Sequence, residues 1–214
     1  METICYLLQG NEEMKKGFVI LALLMLTLAT VSGTGCSKQT CPRVVSASDA
    51  DGCLFGYVDD EGKEITGCIY DKAEPFRNGR ARVCRHGKWG YVDLGGKEVV
   101  QPVYDALGEF YPGNSGLAMV KSGECYGFIK RNGDVAIPIV YDYCDSRFEE
   151  GRVRVQLHGR WGFLDQFGCD VIPLLYDDAE AFYGGYAAVM QDGEWLLIDA
   201  DGNRFSETDK NKRR

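Results

Sequence analysis

The stretch HGKWGYVD at residues 86–93 and the stretch HGRWGFLD at residues 158–165 are nearly the same eight letters, written twice in one chain. A catalytic motif is needed once per site, whereas a structural unit is written as often as it is stacked. The doublet therefore predicts a repeat protein, and other landmarks should recur in step with it.

Three landmarks do recur in step over four units. The glycine of the Trp-Gly pair falls at positions separated by 34, 37 and 35 residues, a Tyr-Asp pair recurs with the same spacings, and a phenylalanine follows each Tyr-Asp pair. The glycines are Gly56, Gly90, Gly127 and Gly162, the tyrosines are Tyr70, Tyr104, Tyr141 and Tyr176, and the phenylalanines are Phe76, Phe110, Phe148 and Phe182. The units lie near residues 54–87, 88–123, 124–159 and 160–193, with a partial fifth unit at 194–206.

Each unit predicts three short β-strands: the WGYVD-like stretch, a β-branched run after a glycine turn, and a third strand after the Tyr-Asp loop. A further third strand at residues 42–47 extends the domain to residues 42–206. The predicted class is all-β, with tandem antiparallel hairpins of 34–37 residues joined in one continuous meander. Because a propeller blade takes about 40–45 residues, we expect an open or gently curved array, with a closed propeller-like ring as the alternative.

Glycine inside the Trp-Gly strand is costly unless something packs against the bare backbone. We expect an aromatic ring of the same or a neighbouring unit to lie there, because aromatic side chains bury large areas. The doublet is then structural.

The pattern [KR]-W-G-[YF]-[VL]-D, then x-x-G-[KD]-x-V-I-P, then Y-D-x-A-x-x-F-x-x-G, resembles the WG repeat family over roughly residues 54–206. The departures are Phe55 and Tyr126 in place of tryptophan, Leu196 in place of glycine, and Gly67-Cys68 in place of the proline. The resemblance implies a β-rich repeat found widely in bacterial proteins, often exported ones. It implies no catalytic residues and no agreed ligand.

Residues 14–36 have the layout of a secretory signal. Lys15 and Lys16 precede an apolar core at 18–29, and small residues follow. This core is shorter than the roughly 20 residues that span a bilayer, so a signal helix is favoured over a transmembrane anchor. Because two glutamates stand just before this signal, we expect Met14 to be the true start and residues 1–13 to be an extension.

The stretch SGTGCSK resembles a bacterial lipoprotein signal, which makes Cys36 a candidate lipidation site. The alternative is ordinary cleavage near Gly33 or Gly35, which leaves Cys36 unmodified. We expect an exported protein, periplasmic or anchored to the membrane as a lipoprotein, and secreted if Cys36 carries no lipid. Contact with the membrane is then limited to an N-terminal lipid or an uncleaved signal.

The sequence contains few candidates for catalytic or metal-binding residues. His86 and His158 occupy equivalent turns, and the aspartate of each Tyr-Asp pair fits a turn cap better than a general acid because it recurs four times. Residues 199–203 resemble the start of a calcium loop but lack its glutamate at position twelve, so we expect a hairpin turn. We predict no catalytic, cofactor-binding or metal-binding residue.

Seven cysteines remain once Cys5 and Cys36 are set aside, and they fall at different repeat positions. Cys144 aligns with Ala73 and Ala179, which indicates a small apolar role. Cys41 and Cys53 are the one candidate disulfide, because they could flank the first hairpin.

The net charge of −8 argues against a nucleic-acid partner, and the basic tail at 207–214 fits a solvated end. We expect a non-catalytic scaffold or interaction module of the cell envelope that presents a repetitive surface to another protein. The alternative is a glycan-binding module that uses the loop tyrosines Tyr111, Tyr143 and Tyr183. An enzyme is the third hypothesis, for which no acid–base or nucleophile set is visible.

Overall fold

The computed structural model describes residues 41–49, 52–111 and 116–205, and within them it has eighteen β-strands and no helix. The strands are β1 (Arg43–Asp49), β2 (Gly52–Val58), β3 (Glu64–Tyr70), β4 (Lys72–Ala73), β5 (Arg80–Arg85), β6 (Lys88–Asp93), β7 (Glu98–Tyr104), β8 (Ala106–Leu107), β9 (Ala118–Ser122), β10 (Cys125–Ile129), β11 (Val135–Tyr141), β12 (Tyr143–Cys144), β13 (Arg152–Leu157), β14 (Arg160–Asp165), β15 (Asp170–Tyr176), β16 (Asp178–Ala179), β17 (Tyr186–Gln191) and β18 (Glu194–Asp199). A search of the described residues for a membrane-crossing helix finds none. The signal helix expected at 14–36 lies outside these residues.

The strands form five small sheets that follow one another along the chain. Sheet 1 has the order β1-β2-β3, sheet 2 β4-β5-β6-β7, sheet 3 β8-β9-β10-β11, sheet 4 β12-β13-β14-β15 and sheet 5 β16-β17-β18. Neighbouring strands pair antiparallel. The predicted class, all-β with tandem antiparallel hairpin repeats, is confirmed.

The prediction of one continuous meander is wrong, because the loop after each Tyr-Asp pair contains a two-residue strand that starts a new sheet. Tyr141 still pairs with Tyr126 in sheet 3. The backbone N–H of Asp142, the next residue, donates to the carbonyl of Gln156 on β13 at 2.9 Å. Each complete sheet therefore joins the end of one sequence unit to the start of the next.

Two-residue hairpin turns precede the Trp-Gly strands. His86 and Gly87 have φ angles of 53° and 74°, and His158 and Gly159 have 52° and 75°. Positive φ at both central residues gives a turn whose twist matches that of the flanking strands. Glycine adopts this conformation without a Cβ clash, which explains why the His-Gly dipeptide recurs there.

The glycine of each Trp-Gly pair lies under a bulge of the next strand. In β14 the ladder steps two residues, from Trp161 to Phe163, whereas in β15 it steps four, from Tyr176 to Ile172. A Cβ added at Gly162 would lie 2.6 Å from the carbonyl oxygen of Ile172. The corresponding distances to a carbonyl oxygen are 2.6 Å at Gly56, 2.4 Å at Gly90 and 2.6 Å at Gly127. The expectation that an aromatic ring covers this glycine is wrong: backbone covers it.

The bulge also accounts for the proline of the V-I-P landmark. Pro138 and Pro173 lie in the bulged segments of β11 and β15, where the ladder is interrupted. Proline has no N–H to donate, so it is tolerated at a bulge and not within a regular ladder.

A second set of glycines brings successive sheets together. Gly168, in the turn between β14 and β15, has a φ of 81°, and its added Cβ would lie 3.3 Å from Cγ1 of Ile137 on sheet 3. At the equivalent turn glycines, an added Cβ would lie 2.7 Å from the Ile65 carbonyl oxygen (Gly96), 2.9 Å from the Val99 carbonyl oxygen (Gly133) and 3.5 Å from Ile172 Cγ1 (Gly202). Each turn therefore docks on the sheet before it.

The described residues divide into two compact units, one holding residues up to Gly87 with Tyr91–Glu98, the other holding Lys88–Gly90 with the residues from Val99 onward. In the first unit a buried cluster contains Tyr57, Tyr70, Ala81, Val83 and Val92, drawn from sheets 1 and 2. In the second unit one cluster joins sheets 3 and 4, and another joins sheets 4 and 5. Fully burying one large apolar side chain is worth about 1.5–3 kcal/mol, so sheets 1 and 2 stabilise each other, as do sheets 3 and 4 and sheets 4 and 5.

We expect Gly162→Ala to lower the free energy of unfolding by about 3 kcal/mol, the upper end of overpacking costs, because the new methyl meets rigid backbone. Urea unfolding followed by tryptophan fluorescence measures the change. Gly67→Ala is the matched control, since its Cβ would meet only ordinary contacts at 3.5 Å and 3.8 Å. Equal stability of the two variants would contradict the close-approach explanation.

Candidate functional site

The residues singled out from the sequence mostly stabilise turns. Asp142 accepts a hydrogen bond at Oδ2 from the backbone N–H of His158 at 2.6 Å. The equivalent carboxylates of Asp71, Asp105 and Asp177 accept from Gly87 (3.2 Å), Gly123 (2.8 Å) and Asp192 (2.9 Å). The prediction that the aspartate of the Tyr-Asp pair is a turn cap is confirmed.

The basic residue before two of the tryptophans pairs with this same aspartate. Lys88 contacts Asp105, and Arg160 contacts Asp177. The Lys88 ammonium, followed by the Gly123 N–H, holds the pKa of Asp105 below its ordinary value. No role was predicted for the lysine or the arginine, although their recurrence before Trp-Gly and the recurrence of Tyr-Asp are both visible in the sequence.

The aspartate that ends the Trp-Gly strand caps the following hairpin. Asp199 accepts at Oδ1 from the N–H groups of Asp201 (3.0 Å) and Asn203 (2.9 Å), and Gly202 has a φ of 79°. Asp59, Asp93 and Asp165 make the same pair of bonds in their own turns. The stretch 199–203 is therefore a hairpin turn, as predicted.

The two histidines lie at exposed turn tips. Both have positive φ angles, and the His158 backbone N–H donates to Asp142, as expected of residues at the centre of a turn. Among the described residues, no group of three or more His, Cys, Asp or Glu side chains is placed to hold a metal ion. Cys36, the candidate lipidation site, lies outside the described residues.

The loop tyrosines do not share one environment. The Arg147 guanidinium lies 4.2 Å from the ring centroid of Tyr111. Tyr143 packs against Trp161 with a centroid distance of 5.3 Å and is 38% exposed. Tyr183 is 90% exposed. Tyr111 and Tyr143 each contact a neighbouring side chain, and Tyr183 is the most exposed of the three rings.

The Tyr143 and Trp161 rings belong to a polar and aromatic cluster in sheet 4. Arg154 donates from Nε and Nη2 to the carboxylate of Asp145 at 3.1 Å and 3.0 Å, and its guanidinium lies 4.9 Å from the Trp161 ring centroid. The same guanidinium donates to the carbonyl of Ala179 in sheet 5. Arg154 therefore joins sheet 4 to sheet 5, and Asp145, Tyr143 and Trp161 surround its guanidinium.

The cysteines divide by environment. Cys144 is buried, and burial raises its pKa to about 12, so its thiol stays protonated and unreactive near neutral pH. The candidate pair Cys41–Cys53 is wrong, because β1 and β2 pair with Ser48 opposite Cys53. Cys41 is seven residues away from Ser48, which is about 23 Å along an extended strand and far beyond the reach of a disulfide.

One exposed aliphatic residue recurs in every unit, immediately before the tyrosine of Tyr-Asp. The exposed fractions are 45% for Ile69, 56% for Val103, 47% for Val140 and 58% for Leu175. We call these residues the aliphatic row. Side chains alternate along a strand, so a tyrosine that points inward leaves the residue before it facing solvent. This alternation is the signal in the sequence from which the exposed position could have been predicted.

A known family model matches the chain at each of the four repeat units. The family model described as WG-containing repeat matches residues 55–89, 89–124, 126–161 and 161–195. No curated protein matches the chain.

Two solved structures of Hsv2 from Kluyveromyces lactis are similar. The one with the complete loop 6CD is 12% identical with a TM-score of 0.40, over 78% of this chain and 59% of that chain. The one with that loop replaced by a Gly-Ser linker is 10% identical with a TM-score of 0.38, over 75% and 60%. This chain thus spans about 60% of the length of each.

We expect Asp105→Asn to lower the urea midpoint at pH 7. The folded pKa of Asp105 is depressed, so its stabilising effect is present above the unfolded pKa of about 3.9 and is lost as the pH falls through the folded value. The difference between wild type and variant should therefore close below about pH 4. Asp201→Asn, at an exposed turn position, is the control, and equal midpoints for wild type and Asp105→Asn at pH 7 would refute the cap.

Proposed function

The chain belongs to the family of WG-containing repeat proteins, and we propose that it is an exported, non-catalytic module of the cell envelope that binds another protein through a repetitive surface. The observation that carries the proposal is the aliphatic row, one exposed side chain at the same place in each of four units. Single exposed aliphatic residues are common on protein surfaces. Three of the four, Val103, Val140 and Leu175, lie in the same compact unit, where their recurrence gives a pattern that a regular partner surface can match.

The recurring polar groups support a binding role over a catalytic one. The carboxylates of the Tyr-Asp pairs and of the hairpin turns accept backbone N–H groups, and two of them also pair with Lys88 and Arg160. These carboxylates are thus engaged in capping turns of the repeat, which is a structural role. What each unit leaves free is apolar area, which favours association with another protein.

Export is supported by the sequence at 14–36, where two lysines, an apolar core and small residues stand in the order of a secretory signal. A lipid on Cys36 would place the repeat domain at a membrane surface without a spanning helix. Without the lipid, the same signal would deliver the chain to the periplasm or the medium.

The interaction role is tested by Val103→Asp, Val140→Asp and Leu175→Asp together in the purified mature chain. We expect this triple variant to lose the proteins that the wild type captures from a cell-envelope extract, because each change places a charge where a partner would bury an aliphatic side chain. Quantitative mass spectrometry of the captured proteins measures the loss. The fold should survive, since all three positions are exposed.

Phe167→Asp is the matched control, because Phe167 is 74% exposed and lies outside the aliphatic row. It should capture the same proteins as the wild type. If the triple variant captured the same proteins as the wild type, the proposed interaction role would be contradicted. Binding on a glycan array that Tyr183→Ser abolishes would instead support the glycan alternative.

Lipidation is tested by Cys36→Ala in the full-length chain. We expect the variant to leave the membrane fraction and to appear in the soluble periplasmic fraction, because the acylated residue is gone. Immunoblotting of separated fractions reports the distribution, with Cys169→Ala as the control. Retention of Cys36→Ala in the membrane would rule out a lipoprotein.

A further inference from the structure

The carboxylate of the Tyr-Asp pair has two oxygens, and in two of the sequence units each oxygen has its own partner. Asp105 accepts a backbone N–H of the following turn at Oδ2, and its Oδ1 contacts the Lys88 ammonium. Asp177 likewise accepts a turn N–H at Oδ2, and its Oδ1 contacts the Arg160 guanidinium. One oxygen therefore caps a turn, and the other binds the cation that precedes Trp-Gly.

The carboxylate of Asp142 has only the first of these two partners. It is exposed and accepts the His158 N–H at Oδ2 at 2.6 Å. Cys125 stands where the other two units have Lys88 and Arg160, and a cysteine side chain offers neither an ammonium nor a guanidinium group. Within the described part of the chain, no lysine or arginine pairs with Asp142. Its Oδ1 therefore lacks the cation that the equivalent oxygens have.

This difference follows from the residue at one repeat position. The place is formed by β10, β11 and the turn between β13 and β14, all of them in the interior of the described range 116–205. Arg154 pairs with Asp145, and Arg160 pairs with Asp177. The cation is missing because cysteine replaces lysine or arginine, and the end of the array plays no part in it.

An exposed aliphatic side chain lies beside this carboxylate. Val140 of the aliphatic row is 47% exposed, whereas Tyr141, between it and Asp142, is 8% exposed. Side chains alternate along a strand, so Val140 and Asp142 face the same side. Lysine and arginine side chains combine an aliphatic stem with a charged head. One such side chain can cover Val140 with its stem and reach Oδ1 of Asp142 with its head.

The backbone at this place does not favour the addition of a partner strand. β11 is the last strand of sheet 3, and Pro138, exposed and two residues before Val140, lies in its bulge. Proline has no N–H to donate, and a bulge bends an edge strand away from regular pairing. Recognition here therefore falls to side chains.

We propose that Val140 and Asp142 bind a lysine or arginine side chain of the partner protein, which supplies in trans the cation that Lys88 and Arg160 supply in cis. This rests on the proposed interaction role and adds a chemical requirement at one position of the aliphatic row. The net charge of −8 favours encounter with a basic protein over association with a second copy of this chain.

The first compact unit repeats the combination. Asp71 accepts the Gly87 N–H at Oδ2 at 3.2 Å, Ile69 is 45% exposed, and Leu54 stands at the repeat position of Lys88. No lysine or arginine among the described residues pairs with Asp71. Ile69 and Asp71 are therefore a second position for the same kind of side chain.

The test uses the purified mature chain and n-butylguanidinium chloride, which has the head group and an aliphatic stem like those of arginine. In backbone amide NMR spectra at constant ionic strength, we expect saturable shift changes at Val140–Asp142 and at His158. Asp142→Asn should weaken this binding by about fivefold or more, because an exposed ion pair contributes up to about 1 kcal/mol. Asparagine keeps an oxygen for the His158 N–H, so the turn should survive.

Matched variants test whether the residue before the aromatic decides binding. Cys125→Lys supplies the cation in cis and should abolish the shift changes at Val140–Asp142, whereas Cys125→Ser should bind like the wild type. Lys88→Ala removes the cation from Asp105 and should produce shift changes at Val103–Asp105 that the wild type lacks. Guanidinium chloride and n-butanol each offer half of the recognised group and should bind more weakly than n-butylguanidinium.

Three results would overturn the inference: no shift changes at Val140–Asp142, undiminished binding by Asp142→Asn, or equal binding by Cys125→Lys and Cys125→Ser. In the capture experiment, Cys125→Lys should lose the proteins that Cys125→Ser retains. If the aspartate triple variant loses them and Cys125→Lys does not, the row binds a partner without a basic side chain here, and only this inference fails. If n-butylguanidinium binds as expected and the triple variant captures every protein, only the proposed interaction role fails.

Discussion

Four times along the chain, a glycine lies under the bulged backbone of the next strand, and the unit is organised around this close approach. A methyl group there would stand 2.4–2.6 Å from a carbonyl oxygen, a distance that no real Cβ contact adopts. The bulge that covers the glycine interrupts the ladder, admits the proline, and lets four residues of one strand span two of its partner. The close approach of the backbone therefore requires the glycine of the Trp-Gly pair. The residue before that glycine can be tryptophan, phenylalanine or tyrosine.

Because each sheet takes strands from two successive sequence units, neither a unit nor a sheet is complete alone. The turn glycines let one sheet approach the previous one closely, and the buried clusters lie between successive sheets. Polar side chains serve the same purpose. Arg154 links sheet 4 to the Ala179 carbonyl of sheet 5, and the Glu150 carboxylate accepts the N–H groups of Gly184 and Gly185 at 2.7 Å and 2.8 Å. The chemistry visible in the sequence is largely used in holding the repeat together.

Those features of the fold that depend on residues close together in the chain could be predicted from the sequence. The period, the hairpins, the glycine turns and the capping role of the recurring aspartates all follow from residue type and spacing, and the structure has them. What depends on pairing between distant residues was not predictable: the two-residue strand after Tyr-Asp, the sheet that straddles two units, and the backbone cover of Gly162. The Cys41–Cys53 pair failed for the same reason, since register places Ser48 opposite Cys53. The aliphatic row could have been predicted from the sequence, because side chains alternate along a strand and Val140 must face solvent when Tyr141 points inward.

A repeat that uses its recurring groups internally leaves for function the positions that face out in every unit. The aliphatic row is such a set, and it repeats because the inward tyrosine repeats. Stacking requires the tyrosine to face inward, but it places no demand on the chemistry of the residue before it. That residue is isoleucine, valine or leucine in all four units and is about half exposed in each, which is why a binding role is proposed there.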